Sequence, residues 1–583
     1  MKILWRLFTY IKYQWLSFSS GVILSMLSAA LTIYAPQITG HMIDDIAHQY
    51  QNKQEIDYVS IIEKLSFYAG IILLSIAVSY VSYNILARAS NRVTKEIRDQ
   101  AHQHMQHLPI SYFDNKPAGK VAARIVNDTE SLKQNFYMNF MTNIIIHLVT
   151  VVGVYIAIYK IHAGIGLGLM GLIPLFIVWQ YMYMRLIQPK NLAWRESVSQ
   201  MNSHIAELIH GISMTQIFQR QDTVLEEFQA SNETLTGQLN DIVDIETKLS
   251  WEFSEFLKRI VTLLVILFVA THLLNNQLSM SIGTLYLLMD YISRLFDPIS
   301  IIVRLMSFVQ QAIASGSRVF ELLDTPVEED PQAKIVMEKG QVVFDQVNFA
   351  YVEGYPILKN ITFTAQPGQT IALVGHTGSG KSSIINLLFR FYDPQSGTIQ
   401  IDGQDIQNYQ RESIRNDMGI VLQEPHLFTG TIASNVSMTD DRISDQQVLY
   451  ALERVGAGPM LAKFDLGIHE PILEKGQSLS SGERQLVSFA RALACNPKVL
   501  ILDEATSHID TETEAIIQHA MNVVKEGRTT FIIAHRLSTI QHADMILALN
   551  EGEIVERGNH AELLSLDGIY AQMYRMQLNQ ELG

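Results

Sequence analysis

Six stretches of mostly apolar residues, each long enough to cross a lipid bilayer, fill the first half of the chain. Inside a bilayer only a helix or a closed barrel satisfies all of its own backbone hydrogen bonds, and about 20 residues span the hydrocarbon core. The pattern therefore predicts six membrane-spanning helices, with the fifth beginning near Trp251. Their approximate ranges are 15–36, 61–86, 136–161, 165–187, 260–274 and 280–306.

The composition agrees with a chain that is partly embedded in lipid. Charged residues make up only 17% of the 583 residues, and the mean hydropathy is +0.13. A formal net charge of −15 argues against a nucleic-acid partner, which requires a basic surface. The single cysteine, Cys495, excludes a disulfide framework and a thiolate metal site, so we expect it to be a small buried apolar residue.

Basic residues orient the predicted helices. Lys2, Arg6 and Lys12 precede the first apolar stretch as in a signal peptide, but no clear small-residue cleavage site follows, so we expect a retained membrane helix. The segments after the second and fourth stretches are rich in Lys and Arg, whereas the loop after the first is acidic. Because Lys and Arg favour the cytoplasmic side, the sequence predicts a multi-pass protein of the plasma (inner) membrane with both termini in the cytoplasm.

The two cytoplasmic connections are long and carry a helical pattern with few breakers. We therefore expect the membrane helices to continue below the bilayer as a stalk. Within it, residues 108–114 and 207–212 are either ordinary amphipathic helices with turns or short cross-helices that touch a cytoplasmic domain.

Charged side chains lie in or beside the last two apolar stretches, where they are expensive unless they are paired or face a cavity. Asp290, Arg294 and Asp297 are four and three residues apart, so we expect mutual pairing on one helix face. Glu252 and Glu255 either attract cationic substrates into a cavity or lie among lipid headgroups.

The composition changes after Arg318, where a polar, Pro-containing segment begins. Beyond it, β-branched runs alternate with helical patterns, which is typical of an α/β domain with a largely parallel sheet. The predicted domains are a membrane domain over residues 1–320, a linker over 321–340 and a nucleotide-binding domain over 341–583.

A phosphate-binding loop follows a predicted strand over residues 370–374 and precedes an apolar helical run. Its backbone N–H groups and the helix N-terminus favour phosphate, Lys381 suits the β- and γ-phosphates, and the Ser382 hydroxyl suits Mg²⁺. The predicted ATP-binding residues of this loop are Gly375, His376, Thr377, Gly378, Ser379, Gly380, Lys381, Ser382 and Ser383.

A second buried strand, over residues 499–503, ends in two adjacent acids. It places Asp503 at the carboxyl end of a strand, where open α/β sheets bind ligands, and predicts that Asp503 holds Mg²⁺. Glu504 is the predicted general base that polarises the attacking water.

With these motifs the chain resembles the ATP-binding-cassette (ABC) exporters over nearly its whole length. The resemblance implies six membrane helices of the type IV exporter kind, fused to an α/β nucleotide-binding domain that hydrolyses ATP in a dimer. It also implies roles for further residues. These are Ser480 and Gly482 in the signature that completes a partner's ATP site, Gln423 as a sensor of Mg²⁺ and the attacking water, His535 as the switch contacting the γ-phosphate, Asp510 in the loop linking the two sites, and Tyr351 (with Tyr355 as a rival) stacking on adenine.

The signature departs from the family's usual Leu-Ser-Gly-Gly-Gln, because Ser481 replaces a glycine and Glu483 replaces the glutamine. A carboxylate is a poorer neighbour for triphosphate than an amide. One interpretation is tolerated variation in a homodimer. The favoured one is a heterodimer with unequal ATP sites, in which this chain keeps the catalytic glutamate, Glu504.

The predicted function is ATP-driven efflux of amphipathic or hydrophobic compounds, with ATP and Mg²⁺ as cofactors. Its partners are a second half-transporter, the lipid bilayer and small hydrophobic substrates. A lipid or peptide exporter remains open, as does the different class of an ATP-gated channel or regulator that does not pump.

Overall fold

The computed structural model describes residues 2–53, 55–114, 116–249, 251–274, 280–473, 476, 478–503, 511–533 and 540–581. The chain divides into two compact units. The first comprises Met1–His107 and Lys116–Pro326, and the second comprises Leu108–Asn115 and Val327–Gly583.

The described part of the first unit consists of helices joined by turns and short connections. Its helices, together with α4 of the second unit, are α1 (Lys2–Tyr10), α2 (Trp15–Gln51), α3 (Tyr58–Gln106), α4 (Ile110–Asp114), α5 (Ala118–Ala123), α6 (Thr129–Leu132), α7 (Met141–Ile161), α8 (Ala163–Met170), α9 (Leu172–His210), α10 (Ile212–Ile217), α11 (Gln221–Leu249), α12 (Trp251–Leu274) and α13 (Ile282–Asp324). One 3₁₀ turn, Ile11–Gln14, joins α1 to α2, and wider π-type turns over Arg124–Asp128 and Lys133–Phe140 connect α5, α6 and α7.

Helices occupy all six predicted spans. By length and composition, four continuous helical stretches of the described chain are long and apolar enough to cross a membrane: Lys2–Gln51, Tyr58–Gln106, Ala118–Ile161 and Ala163–His210. The fifth and sixth predicted spans lie in α12 and α13, and α12 begins at Trp251 as the sequence indicated. With 49 residues, α3 is much longer than the roughly 20 that a bilayer requires, as a stalk demands.

Hydroxyl side chains join α2 to α3 across their contact face. The Ser25 and Ser82 hydroxyls are 2.6 Å apart, and those of Ser28 and Ser75 are 3.1 Å apart. All four residues are buried. Small residues let membrane helices approach closely. Hydrogen bonds between their hydroxyls replace the hydrogen bonds to water that are not available in lipid.

The first turn of α13 packs directly against α2. Asp44 accepts hydrogen bonds from the backbone N–H of Gly283 and from the hydroxyl of Ser281, each over 2.7 Å. A methyl group on Gly283 would overlap the carbonyl oxygen of Gly40 and the Asp44 carboxylate. Gly283 thus permits a backbone contact that any side chain would block.

Five of the described charged residues near the last two spans are paired within their own helices. The Arg294 Nε lies 2.5 Å from the Asp290 carboxylate. The Glu255 carboxylate lies 2.5 Å from the Lys258 ammonium and 3.5 Å from the Arg259 guanidinium. Pairing of Asp290 with Arg294 follows the prediction, while the Asp297 side chain lies outside the described residues.

Ion pairs also join α13 to the segments before α7. Arg318 contacts Asp128 over 2.5 Å, and the buried Arg124 contacts Glu321 over 3.2 Å. These pairs fix neighbouring helices of the first unit to each other beyond the apolar spans.

The described residues of the second unit form three sheets, with the strand orders β2-β1-β4-β5, β12-β11-β3-β10-β9-β6 and β7-β8. The six-stranded sheet is parallel except for β12, as the sequence predicted, whereas the antiparallel four-stranded sheet was not anticipated. The strands are β1 (Val342–Phe349), β2 (Leu358–Ala365), β3 (Thr370–Val374), β4 (Ser396–Ile401), β5 (Gln404–Asp405), β6 (Met418–Val421), β7 (Gly430–Thr431), β8 (Pro471–Ile472), β9 (Val499–Asp503), β10 (Thr529–Ile533), β11 (Met545–Asn550) and β12 (Glu553–Gly558).

Two apolar cores cover the two faces of the six-stranded sheet, because successive side chains of a strand point to opposite faces. In β3, Ile371 and Leu373 enter the core shared with the antiparallel sheet, while Ala372 and Val374 enter the core beneath the helices. The helices of this unit after α4 are α14 (Lys381–Leu388), α15 (Arg411–Arg415), α16 (Ile432–Ser437), α17 (Asp445–Arg454), α18 (Gly458–Leu461), α19 (Ser481–Ala494), α20 (Thr511–Lys525), α21 (His560–Ser565) and α22 (Ile569–Glu581).

One minor expectation is wrong. Cys495 directly follows the last turn of α19 and is exposed rather than buried. Its position at a helix end, where the chain turns at the surface, outweighs the general tendency of free cysteines to be buried.

We predict that Gly283→Ala destabilises the membrane domain, because the added methyl group meets backbone that cannot move aside. Overpacking of this kind typically costs about 1–3 kcal/mol. The matched control is Gly70→Ala, since a methyl group on Gly70 of α3 meets nothing within 4 Å. Thermal unfolding of the detergent-purified protein should show a lower midpoint for the first variant only. Equal midpoints for the two variants would contradict the close contact of α2 with α13.

Candidate functional site

The phosphate-binding loop connects β3 to α14, which begins at Lys381. Gly378 and Gly380 have φ values of +86° and +106°, a left-handed conformation that side chains disfavour. A methyl group on Gly380 would also lie 2.5 Å from the Leu358 side chain. The glycines of the motif are therefore required by the turn itself, which directs backbone N–H groups and the start of α14 to one place.

Lys381 is buried within this loop. Its ammonium donates hydrogen bonds to the carbonyl oxygens of Gly375 and His376, over 2.7 and 3.1 Å. The loop backbone therefore holds a positive charge at its centre, where a phosphate chain requires one. Ser379, in the same loop, is also buried.

The strand register brings distant parts of the chain to the same edge. In the parallel sheet, Ile533 of β10 pairs with both Leu373 of β3 and Asp503 of β9, and Val421 of β6 pairs with Leu502. The carboxyl ends of these strands therefore lie side by side, next to the phosphate-binding loop. This is where open α/β sheets bind their ligands.

A cavity of 370 Å³ lies at this edge of the sheet. Among the described residues that line it, nine were predicted from the sequence, and two, Ile357 and Ile533, were not. Its described lining residues are Tyr351, Ile357, Thr377, Gly378, Gly380, Lys381, Ser382, Ser383, Gln423, Asp503 and Ile533. Ile533 ends a strand and directly precedes the predicted switch motif. Its place beside the cavity could therefore have been predicted from that motif.

Tyr351 forms an aromatic wall of the cavity. Its hydroxyl lies 3.2 Å from the Ser383 hydroxyl and accepts a hydrogen bond from the Asn386 amide over 2.9 Å. Its ring meets that of Tyr392 edge to face, with centroids 4.9 Å apart. Tyr351 is 44% exposed and Tyr355 is 74% exposed, and only Tyr351 lines the cavity.

Tyr392 was not singled out in the sequence. Its hydroxyl donates a hydrogen bond to the Asp114 carboxylate, at the end of α4. Burial, reinforced by that hydrogen bond, raises the pKa of the Tyr392 phenol above its usual range. The segment 108–114 therefore packs within the same compact unit as the cavity, as the interpretation of this segment as a cross-helix required.

Gln485 is a second residue that sequence reasoning missed. It is 3% exposed, and its side-chain amide donates to the carbonyl oxygen of Gln423 over 2.8 Å. This contact ties α19 to the loop that follows β6. Nothing in the local sequence pattern indicates it, because 62 positions separate the two residues.

Ser480 and Gly482 do not belong to the described lining of this cavity. Ser480 instead forms the N-cap of α19, where its hydroxyl accepts the backbone N–H of Glu483 over 3.2 Å. The Glu483 carboxylate accepts the backbone N–H of Ser480 over 2.8 Å and pairs with Lys463 over 2.7 Å. Glu483 thus completes a capping box at the start of the helix, as a glutamine at this position also would.

Three predicted residues, Glu504, Asp510 and His535, lie outside the described residues, and their roles stay predictions. The three predicted Mg²⁺ ligands Ser382, Gln423 and Asp503 all line the cavity and supply the hydroxyl, amide and carboxylate oxygens that suit a hard cation. No group of three or more His, Cys, Asp and Glu within the described ranges suits a metal ion. The three oxygen ligands Ser382, Gln423 and Asp503 therefore suit an ion whose other ligands are phosphate oxygens.

Comparison with known proteins relates both halves of the chain to ABC transporters. Residues 18–299 match the family described as ABC transporter transmembrane region, and residues 358–507 match that described as ABC transporter. A probable multidrug resistance ABC transporter ATP-binding/permease protein of Bacillus subtilis is 45% identical over 518 residues, covering 89% of this chain and 77% of that protein. The chain belongs to the ABC transporter family.

Other ABC relatives carry different names. A fatty acid ABC transporter ATP-binding/permease protein of Mycobacterium bovis is 32% identical, covering 90% of this chain and 82% of that protein. A solved structure, described as a bacterial Atm1-family ABC exporter with ATP bound, matches with a TM-score of 0.79 at 25% identity, covering 96% of this chain and 99% of that one.

These findings confirm the predicted fold class: a helical membrane region of the type IV exporter kind, fused to an α/β ATP-binding domain. The chain is thus part of an ATP-driven exporter that is embedded in a membrane. ABC exporters work as dimers. Because the nucleotide-binding domain binds ATP in the family, the cavity at the edge of the parallel sheet is the candidate ATP site.

We predict that Tyr351→Ala raises the KM for ATP of the ABC exporter by roughly tenfold, because stacking of a base on an aromatic ring is worth about 1–3 kcal/mol. Tyr355→Ala is the matched control and should leave KM unchanged, since that ring lies outside the cavity lining. ATP hydrolysis by the full-length protein in lipid measures both. A larger effect of the Tyr355 variant would reassign the adenine contact.

Proposed function

We propose that this chain is half of an exporter that uses ATP hydrolysis to move amphipathic or hydrophobic compounds out of the cell across the plasma membrane. The observation that carries the proposal is the cavity that unites the phosphate-binding loop, Tyr351, Gln423 and Asp503 in a chain with long apolar helices. The name of the 45% identical relative, which refers to multidrug resistance, supports this choice of substrate class.

A lipid-like substrate is the second candidate. Its specific support is the relative named as a fatty acid transporter, at 32% identity. Both substrate classes are hydrophobic and enter from the bilayer, so the motor chemistry is the same for either. A peptide exporter and a gated channel have no observation in their favour.

The motor residues divide the chemistry among them. Lys381, held in the centre of the loop, neutralises charge on the β- and γ-phosphates, and Tyr351 stacks on adenine. Ser382, Gln423 and Asp503 hold Mg²⁺, which neutralises charge on the triphosphate when bound. Glu504 accepts a proton from the attacking water, and His535 contacts the γ-phosphate.

A second nucleotide-binding domain completes the site. Because Ser480 and Gly482 do not line this chain's own cavity, we assign them to the ATP of the partner. ATP binds the closed dimer better than the open one, since it bridges the two domains. Closure of the dimer then pulls the stalk helices and opens the transport cavity outward. In this arrangement both termini and the nucleotide-binding domain lie in the cytoplasm.

The partner that we favour is a different chain. The altered signature, combined with an intact Glu504, fits a heterodimer with unequal sites in which the partner lacks the glutamate. The contact of Glu483 with Lys463 favours the homodimer as the alternative, because it offsets the charge that sets this signature apart.

Glu504→Gln should bind ATP normally but abolish hydrolysis at this chain's site, because an amide cannot accept the proton from water. In inside-out vesicles the same variant should also abolish ATP-dependent uptake of a hydrophobic dye. The control is Glu553→Gln, an exposed acid on the edge strand β12. If the wild-type protein moves the dye only down its concentration gradient, it acts as a gated channel rather than a pump. Normal hydrolysis by the Glu504→Gln complex, with the partner's site also blocked, would remove Glu504 from the mechanism.

A heterodimer predicts that this chain purified alone has little ATPase activity and no transport. Coexpression with the product of a neighbouring half-transporter gene should restore both. Robust, transport-coupled ATPase activity of the chain alone would establish the homodimer instead.

A further inference from the structure

The signature helix α19 begins with a negative charge that a glutamine at the same position would not carry. Glu483 lies in its first turn and closes a capping box with Ser480, over 2.8 and 3.2 Å. Glutamine closes the same box equally well. Capping therefore explains why a long polar side chain stands at this position, but not how its charge is tolerated.

Lys463 supplies the opposite charge. It follows α18 in sequence, 20 positions before Glu483, and its ammonium lies 2.7 Å from the carboxylate. The carboxyl group is largely shielded at 16% exposure, whereas the lysine is 65% exposed and reaches over it from the solvent side. One carboxylate oxygen therefore accepts a hydrogen bond from the backbone at the helix N-terminus, and the other pairs with the Lys463 ammonium.

Both charges persist at neutral pH. Burial alone would raise the pKa of Glu483, but the pairing with Lys463 and the Ser480 N–H outweigh it and hold the pKa below the ordinary value. The hydrogen bond to Glu483 raises the pKa of Lys463. The pair is thus a carboxylate beside an ammonium, with no net charge.

A helix N-terminus attracts anions, since its unpaired N–H groups carry partial positive charge. An uncompensated carboxylate in the first turn would cancel that attraction at the place where, on the proposed function, the partner's triphosphate binds. The geometry points to Lys463 as a positioning residue of the partner's ATP site: it neutralises Glu483, so that this altered signature still presents an anion-binding helix start.

A purely structural role predicts something different. If the ion pair only stabilised the fold, loss of Lys463 would lower the unfolding temperature while Glu483 is present, and the folded variant would bind nucleotide like the wild type at every salt concentration. An electrostatic role predicts a loss of ATP affinity that requires Glu483 and that salt screens, because exposed charges interact weakly beyond the Debye length.

The test uses the full-length dimer, including a partner chain if one is required. Binding of a non-hydrolysable ATP analogue with Mg²⁺ is measured at low and high salt for the wild type, Lys463→Ala, Glu483→Gln and the double variant. We expect Lys463→Ala to weaken binding by on the order of tenfold at low salt and much less at high salt. The double variant should bind like Glu483→Gln alone, and Lys463→Arg should bind like the wild type.

Lys339→Ala is the matched control, since it removes an exposed lysine elsewhere in the same compact unit. The inference is overturned if Lys463→Ala binds like the wild type, or if it weakens binding equally with Glu or Gln at position 483. A wild-type dimer that binds no analogue would overturn the proposed function itself, and this outcome is distinct because it appears before any substitution is made. Thermal unfolding of each variant separates loss of fold from loss of affinity.

Discussion

The structure depends on one constraint: backbone that is removed from water must find its hydrogen bonds within the protein. In the first unit the constraint selects long helices, because each helix satisfies its own backbone in lipid. In the second unit it selects a buried parallel sheet, whose strands satisfy one another. The membrane helices then pack through small residues and hydroxyls, as at Gly283 and Ser25, while the sheet packs through alternating apolar side chains on its two faces.

The parallel register is also what creates the candidate site. Parallel strands end at the same edge, so β3, β6, β9 and β10 deliver the phosphate-binding loop, Gln423, Asp503 and Ile533 to one cavity, although more than 150 positions separate the first from the last. The motif residues need no special sequence signal to meet one another. Each needs only to follow a buried strand, and this is why short motifs in their strand context indicate a site so well.

The predictable part of the chain was the part that local pattern controls. Apolar runs indicated the six helical spans, and strand context indicated seven of the residues that line the cavity, while Tyr351 and Gln423 came from the resemblance to the ABC exporters. Contacts between distant segments were not predictable, because no period or motif links Tyr392 to Asp114, Gln485 to Gln423 or Lys463 to Glu483. The same limit applies to Cys495, whose exposure depends on where α19 ends rather than on its residue type.

Lys463 shows why a motif variant cannot be interpreted from the motif alone. Within the signature, Glu483 introduces a charge that opposes phosphate binding, and this favours unequal sites in a heterodimer. Within the fold, that carboxylate is already shared between a helix N-terminus and an ammonium. The electrostatic property of a signature therefore belongs to a group of residues that includes one 20 positions away, so the substitution has to be weighed together with its counter-charge. On that basis the proposal that this chain is the hydrolytic half of a dimer rests on the presence of Glu504 in the sequence, and not on the carboxylate at position 483.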